Sequence, residues 1–190
     1  MSYTAEQCLA IRALAAATVR AALGAGAPPP TSCGDTSTDA VAGVFVSLYH
    51  GEHLRACRGT TGGGQLASSV ARAASAAATD DTRFEPIMAD ELPALQLEIH
   101  VLHDWEAVPG PASERASKLA VPGHGLMLRG RGHTGLLLPA VARKHGFDAV
   151  NLLRHTCRKA GLDDEAWQDE QVAAYRFRAT EISGPLNQLT

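Results

Sequence analysis

Cys57 stands between two arginines in the run Leu54-Arg55-Ala56-Cys57-Arg58-Gly59. A thiol beside fixed positive charge is biased toward its thiolate, the form that attacks carbon and binds metals. Thr60, Thr61, Gly62, Gly63 and Gly64 follow directly. Backbone N–H groups of a glycine-rich stretch that opens a helix can hold a phosphate or carboxylate. Taken together, Cys57 reads as a nucleophile, and Arg55, Arg58, Thr60, Thr61, Gly62, Gly63 and Gly64 read as an anion-binding rim for a substrate.

A nucleophilic thiol needs a base within hydrogen-bond reach. The chain has eight histidines. Among them His103, with Asp104 beside it, and His133 are the preferred bases. Asp104 is not expected to orient His103, because neighbours on a strand point to opposite faces. The same residue types suit zinc or iron, so a metal-dependent reading stands as an alternative. The pairs His50/His53 and His100/His103, however, have a spacing that converges on a helix and diverges on a strand, and no metal site is assigned. The lysine of a P-loop is missing and no Rossmann glycine pattern is present, so no cofactor is assigned either.

The elements that must carry these groups follow from periodicity. Val44 to Leu48, a turn at His50 to Glu52, and the run to Gly59 predict a hairpin that delivers Cys57. Residues 4–23 place Cys8, Ile11, Leu14, Ala15, Val19 and Ala22 at helical spacing behind Thr4 as N-cap. Gln65 to Ala78 is a second helix, with Leu66, Val70, Ala73, Ala74 and Ala77 inward. Gln96 to Leu102 alternates as a half-buried strand, and residues 103–118 read as a loop. Gly125 to Leu128 and Thr134 to Leu138 form a second hairpin around Arg129–Gly132. Pro139 starts a short helix, Asp148 caps another that ends at Gly161, and Val172 to Ile182 returns as a strand. Strands and helices mix without a regular βαβ beat. The expected fold is α+β, with a mixed or largely antiparallel sheet and flanking helices.

Composition limits the functions open to such a chain. It has 190 residues, enough for one domain with a substantial core. Residues 1–190 are read as that single domain, with 24–40 a flexible loop and 183–190 a tail. The net charge of −3 and the 5% aromatic content argue against binding nucleic acid. No basic-then-apolar secretory start is visible and the apolar stretches are too short to span a bilayer. The expectation is a cytoplasmic protein, off the membrane, with reduced thiols.

The ordered set of motifs resembles the AMMECR domain family across residues 5–182. Its pieces are Gly43-Val44-Phe45-Val46-Ser47-Leu48, Leu54 to Thr60, Asp81-Thr82-Arg83-Phe84, Glu91-Leu92, Gly123-His124-Gly125-Leu126, Gly135 to Pro139, and Lys159-Ala160-Gly161-Leu162 with Trp167 beyond. The family's short motif Arg-Gly-Cys-Ile-Gly is matched by Arg55, Cys57 and Gly59 and departed from at Ala56 and Arg58. The Gly62–Gly64 run departs too. The resemblance implies an α+β fold with a larger and a smaller lobe. It also implies possible partners, a Memo-like or a radical-SAM protein in bacteria, and no assigned activity. Arg83 is expected to pair with a carboxylate or with backbone carbonyls.

The residues therefore point to an enzyme acting on a small anionic metabolite, by group transfer or bond formation through Cys57. The alternatives are a ligand-binding or regulatory interaction module without turnover, and the metal-dependent enzyme.

Overall fold

The computed structural model describes residues 2–187. Helix α1 spans Ala5–Ala22. The Thr4 hydroxyl accepts from the Gln7 N–H at 3.2 Å, and the Gln7 side chain accepts from the Thr4 N–H at 2.9 Å. This reciprocal cap satisfies two first-turn donors that the helix itself cannot. Ile11, Leu14, Ala15 and Val19 are buried, as their spacing predicts. Residues Gly34–Thr38 of the expected loop form a 3₁₀ turn.

Strands β1 (Ala40–His50) and β2 (His53–Gln65) make the first hairpin, turning at Gly51 with φ +59°. The sequence places the end of this hairpin at Gly59. In the structure β2 runs six residues further, to Gln65, pairing Gly64 with Val41 and Thr61 with Gly43. The register breaks between Val41 and Gly43. Gly62, Gly63 and Gly64, at φ +120°, +77° and +148°, carry that irregularity in conformations side-chain-bearing residues avoid.

Helix α2 (Leu66–Thr79) follows, burying Leu66, Val70, Ala73, Ala74 and Ala77. Strand β3 (Leu95–Ala107) continues well past the expected end at Leu102. Asp104 takes φ +52°, which interrupts the alternation a sequence reading relies on. Beyond it, Trp105 stacks on Phe177 at 5.0 Å and on Tyr175 at 6.0 Å.

Strands β4 (Gly125–Gly130) and β5 (His133–Leu137) form the second hairpin. Its two turn residues, Arg131 and Gly132, both have positive φ, at +53° and +79°. That is the turn whose twist matches a two-residue hairpin. Helices α3 (Pro139–His145) and α4 (Ala149–Ala160) follow, and β6 (Ala173–Pro185) closes the fold. Asp148 caps α4 by accepting the Asn151 N–H at 2.7 Å, and Gly161 ends it at φ +72°. The sheet is six-stranded, in the order β2-β1-β3-β6-β4-β5, and α+β describes it. Of the expected tail, residues 183–185 belong to β6, and residues 188–190 lie outside the described residues.

The chain divides into two compact units, residues 1–102 with 180–190, and residues 103–179. In the first, α1 and α2 pack on one face of β1, β2 and β3, burying Val44, Val46, Leu48, Ala56, Leu97, Ile99 and Val101. In the second, α4 packs on β4 and β5 around Leu126, Leu128, Leu152, Leu153 and Trp167. Among the described residues no helix is long and apolar enough to cross a membrane.

Candidate functional site

Strand alternation puts the apolar residues of β1, β2 and β3 against the helices and their neighbours on the opposite face. Register then decides which of those neighbours meet. Cys57 is the cross-strand partner of Ser47, and Ser47 is the partner of Glu98. The three form one row across β2, β1 and β3, with strands about 4.8 Å apart. The next row along is Gly59, Phe45 and His100. Tyr49 lies two residues past Ser47 and pairs with Gln96 on β3.

This face is polar yet sheltered. Ser47 is 3% exposed and His100 2%, whereas Cys57 is only partly buried. The imidazole Nε2 of His100 lies 2.5 Å from Glu98 Oε1. The Tyr49 phenol is raised above its ordinary pKa, chiefly by burial and then by the charges of Glu98 and Cys57, with a hydrogen bond to Ser47 working the other way. Tyr49 therefore stays protonated, a donor, through neutral pH. Buried polar groups on a sheet face need partners, and here they partner one another beside a thiol. Across its adjacent rows this face brings together a thiol, the hydroxyls of Ser47 and Tyr49, and the Glu98–His100 carboxylate–imidazole pair.

The backbone of Cys57 is held from outside the sheet. β2 is an edge strand, and an edge leaves N–H and C=O groups without a neighbouring strand. Asp81 and Arg83 supply one. The Cys57 N–H donates to Asp81 Oδ2 at 2.8 Å, and Arg83 Nη2 donates to the Cys57 carbonyl at 2.9 Å. Arg83 also grips Asp81 with Nε and Nη2, both at 2.7 Å. The side chain of Asp81 is 2% exposed, and its pKa is lowered to about 2, first by Arg83 and also by the Cys57 N–H. The expectation that Arg83 binds a carboxylate or backbone carbonyls is met on both counts.

Arg55 does something else than the sequence suggests. The register slips between Leu48, paired with Ala56, and Tyr49, paired with Leu54, so Arg55 is the extra residue of a bulge. A bulge re-aims the side chain it carries. Arg55 accordingly forks onto Glu91, Nε to Oε2 at 2.9 Å and Nη2 to Oε1 at 3.0 Å. Its Nη1 also donates to the Glu85 carbonyl at 3.4 Å. Glu91 in turn accepts the Met88 N–H at 2.9 Å. Arg58 is exposed and pairs in register with Val46, a core residue, so alternation sets it on the other side of β2 from Cys57. Gly62 follows Cys57 by five strand residues, a separation of about 17 Å. Thr60, Thr61, Gly62, Gly63 and Gly64 are sheet residues that lead away from the thiol rather than a loop curled around it.

His103 and His133 belong to the second unit. His103 is 9% exposed, and its Nδ1 lies 3.0 Å from Asp104 Oδ2. The positive φ of Asp104 lets adjacent residues meet, contrary to the simple alternation rule. His133 opens β5 opposite Gly130 and is exposed. Among the described residues no three His, Cys, Asp or Glu side chains gather as metal ligands.

The comparison with known proteins is direct. The AMMECR1 family model matches residues 12–182. The chain belongs to the AMMECR1 family. A protein of Thermococcus onnurineus is 41% identical over 114 residues, covering 60% of this chain and 56% of that protein. One from Pyrococcus furiosus is 38% identical over 143 residues, covering 72% of this chain and 68% of the relative. The crystal structure of an uncharacterized protein from Pyrococcus horikoshii superposes with a TM-score of 0.78 at 34% identity, over 92% of this chain and 87% of that one. This AMMECR1-family chain thus shares its fold with archaeal proteins, and its chemistry has to be argued from its own residues.

Ser47, Tyr49, Glu98 and His100 are the site residues that a reading focused on the arginines passes over. The signal is present as alternation. Phe45, Ser47 and Tyr49 interleave with Val44, Val46 and Leu48, as Glu98 and His100 do with Leu97 and Ile99. What the sequence lacks is the register that aligns the three strands.

Proposed function

We propose that this AMMECR1-family protein is an enzyme that transfers a small acyl-type group through a covalent thioester on Cys57. The observation that carries the reading is the row Cys57, Ser47, Glu98, with the protonated Tyr49 phenol beside it. In the first step the Cys57 sulfur bonds to the substrate carbonyl carbon and the carbonyl electron pair moves to oxygen. The Tyr49 hydroxyl donates a hydrogen bond to that developing charge. Collapse expels the leaving group, which takes up the proton the thiol gives. A second nucleophile then attacks the thioester and restores the thiol. The anionic specificity that Arg55 and Arg58 suggest has no support in their placement, because one is forked onto Glu91 and the other lies across the strand.

p-Nitrophenyl acetate provides a direct probe. Acetylation of Cys57, followed by peptide mass spectrometry, is expected to outpace that of Cys8, the other partly exposed thiol. Tyr49→Phe should slow it by about tenfold or more, as removal of an oxyanion donor does. Equal acetylation of the two cysteines would overturn the enzymatic reading. It would leave a ligand-binding or regulatory module in which Cys57→Ser preserves binding.

A further inference from the structure

Thioester transfer through Cys57 needs a second nucleophile, and the charges around the thiol indicate its class. Glu98 lies in the same row as Cys57, on the far side of β1, with about 10 Å between the two backbones. Its side chain keeps 26% of its surface exposed, and Cys57 and Tyr49 are partly exposed as well. The Ser47 hydroxyl in the middle of the row is buried and bonded to Tyr49. The groups a substrate reaches around the thiol therefore include a phenol and a carboxylate.

The charges there share one sign. Those that act on the Tyr49 phenol are Glu98, Cys57 and Glu181 of β6. Arg83, which touches the Cys57 carbonyl, is matched by Asp81. Arg55 is forked onto Glu91, and Arg58 lies across the strand. The buried His100 has its Nε2 2.5 Å from Glu98 Oε1. A carboxylate held by an imidazole forms a pair that can take a proton from a bound substrate. Such a surface attracts a cation and repels an anion.

We propose that the acceptor of the acyl group is a primary amine, which docks as its ammonium form against Glu98 and leaves as an amide. The inference rests on the thioester reading and adds to it the second substrate and the residue that receives it. At neutral pH an alkylamine is protonated, as lysine is, and its nitrogen has no electron pair to attack with. The first proton passes to the Glu98–His100 pair. The freed nitrogen bonds to the thioester carbon, and the carbonyl electron pair moves to the oxygen that faces Tyr49. That pair then returns and the carbon–sulfur bond breaks. The Cys57 sulfur keeps the bonding electrons and takes up the second proton of the nitrogen. The Glu98–His100 pair gives its proton to water.

The test starts from full-length protein acetylated with p-nitrophenyl acetate and freed of reagent. It is mixed with n-butylamine or n-butanol at neutral pH, and peptide mass spectrometry follows the acetyl group on Cys57. Butylamine is expected to remove it about a hundredfold faster than from free S-acetylglutathione, at a rate that saturates and with N-butylacetamide as product. Butanol is expected to leave it at the rate seen in buffer. Glu98→Gln should slow the butylamine reaction by about tenfold or more. The comparison of amine with alcohol uses the wild-type protein alone and stands whether or not that variant folds. Acetyl-Cys57 that forms but reacts with butylamine no faster than S-acetylglutathione, or reacts equally with butanol, would overturn the amine assignment and leave the thioester reading intact. An unchanged butylamine rate in folded Glu98→Gln would overturn the role of Glu98. Failure of Cys57 to acetylate at all would overturn both readings.

Discussion

Replacing Asp81 with alanine is expected to lower the unfolding free energy by about 3 kcal/mol. The carboxylate is almost wholly buried and serves two donors at once, the Cys57 N–H on the sheet edge and the Arg83 fork. Removing it leaves the N–H without its acceptor and frees a guanidinium that also holds the Cys57 carbonyl. Because Arg83 is 53% exposed, water screens the purely ionic share, and the loss falls chiefly on the backbone anchor. For a chain of this size the melting temperature should drop by about 6–12 °C. The acid dependence has a defined sign. The folded pKa of Asp81 is depressed from 3.8 to about 2. Its contribution is therefore complete above 3.8 and is lost as pH falls through about 2. Urea melts of wild type and Asp81→Asn should differ by a constant amount from neutral pH to about 4, then converge toward pH 2. A difference that persists undiminished at the acid end would mean that the carboxylate charge is not what holds the strand.

Gly59→Ala is expected to cost about as much, for a steric reason. A Cβ at Gly59 would lie 2.3 Å from the Val44 carbonyl oxygen and 2.6 Å from two atoms of the Phe45 ring. The ring lies over the glycine across the β1–β2 pair, one row beyond Cys57 and Ser47. Accommodating even a methyl group requires the ring to leave and the two strands to shift, which costs about 3 kcal/mol in a packed sheet. Phe45→Leu in the same chain should recover part of the loss, since it relieves the ring contact and not the carbonyl contact. An unchanged melting temperature in Gly59→Ala would show that the ring does not occupy that position.

These two residues also show what a sequence can and cannot convey. Asp81, Arg83 and Gly59 stand inside motifs that the resemblance brings forward, and local chemistry restricts what such residues can do. The roles of the helix caps were equally legible. Thr4 with Gln7, Asp148, and Gly161 act through bonds that span three or four residues. Cys57 is partly exposed, but its surroundings depend on pairing between segments that lie far apart in the chain. One bulge at Arg55 redirects one of the two side chains expected to support the thiol. One positive φ at Asp104 hides five residues of β3 and joins two side chains that alternation would separate. Thr60 to Gly64 read as a loop because glycine is rare in strands, yet β1 is long enough to pair with them.

Thioester transfer as proposed requires Cys57 to be a reactive thiol presented by the Ser47–Tyr49–Glu98 face. Iodoacetamide labelling at neutral pH, resolved by peptide mass spectrometry over time, tests it most directly. Cys8 is the internal reference because it is also free and partly exposed, whereas Cys33 and Cys157 are buried. Cys57 is expected to be alkylated about tenfold faster than Cys8 or more, and Ser47→Ala together with Tyr49→Phe is expected to remove most of that advantage. Alkylation of Cys57 at or below the rate of Cys8 would contradict it.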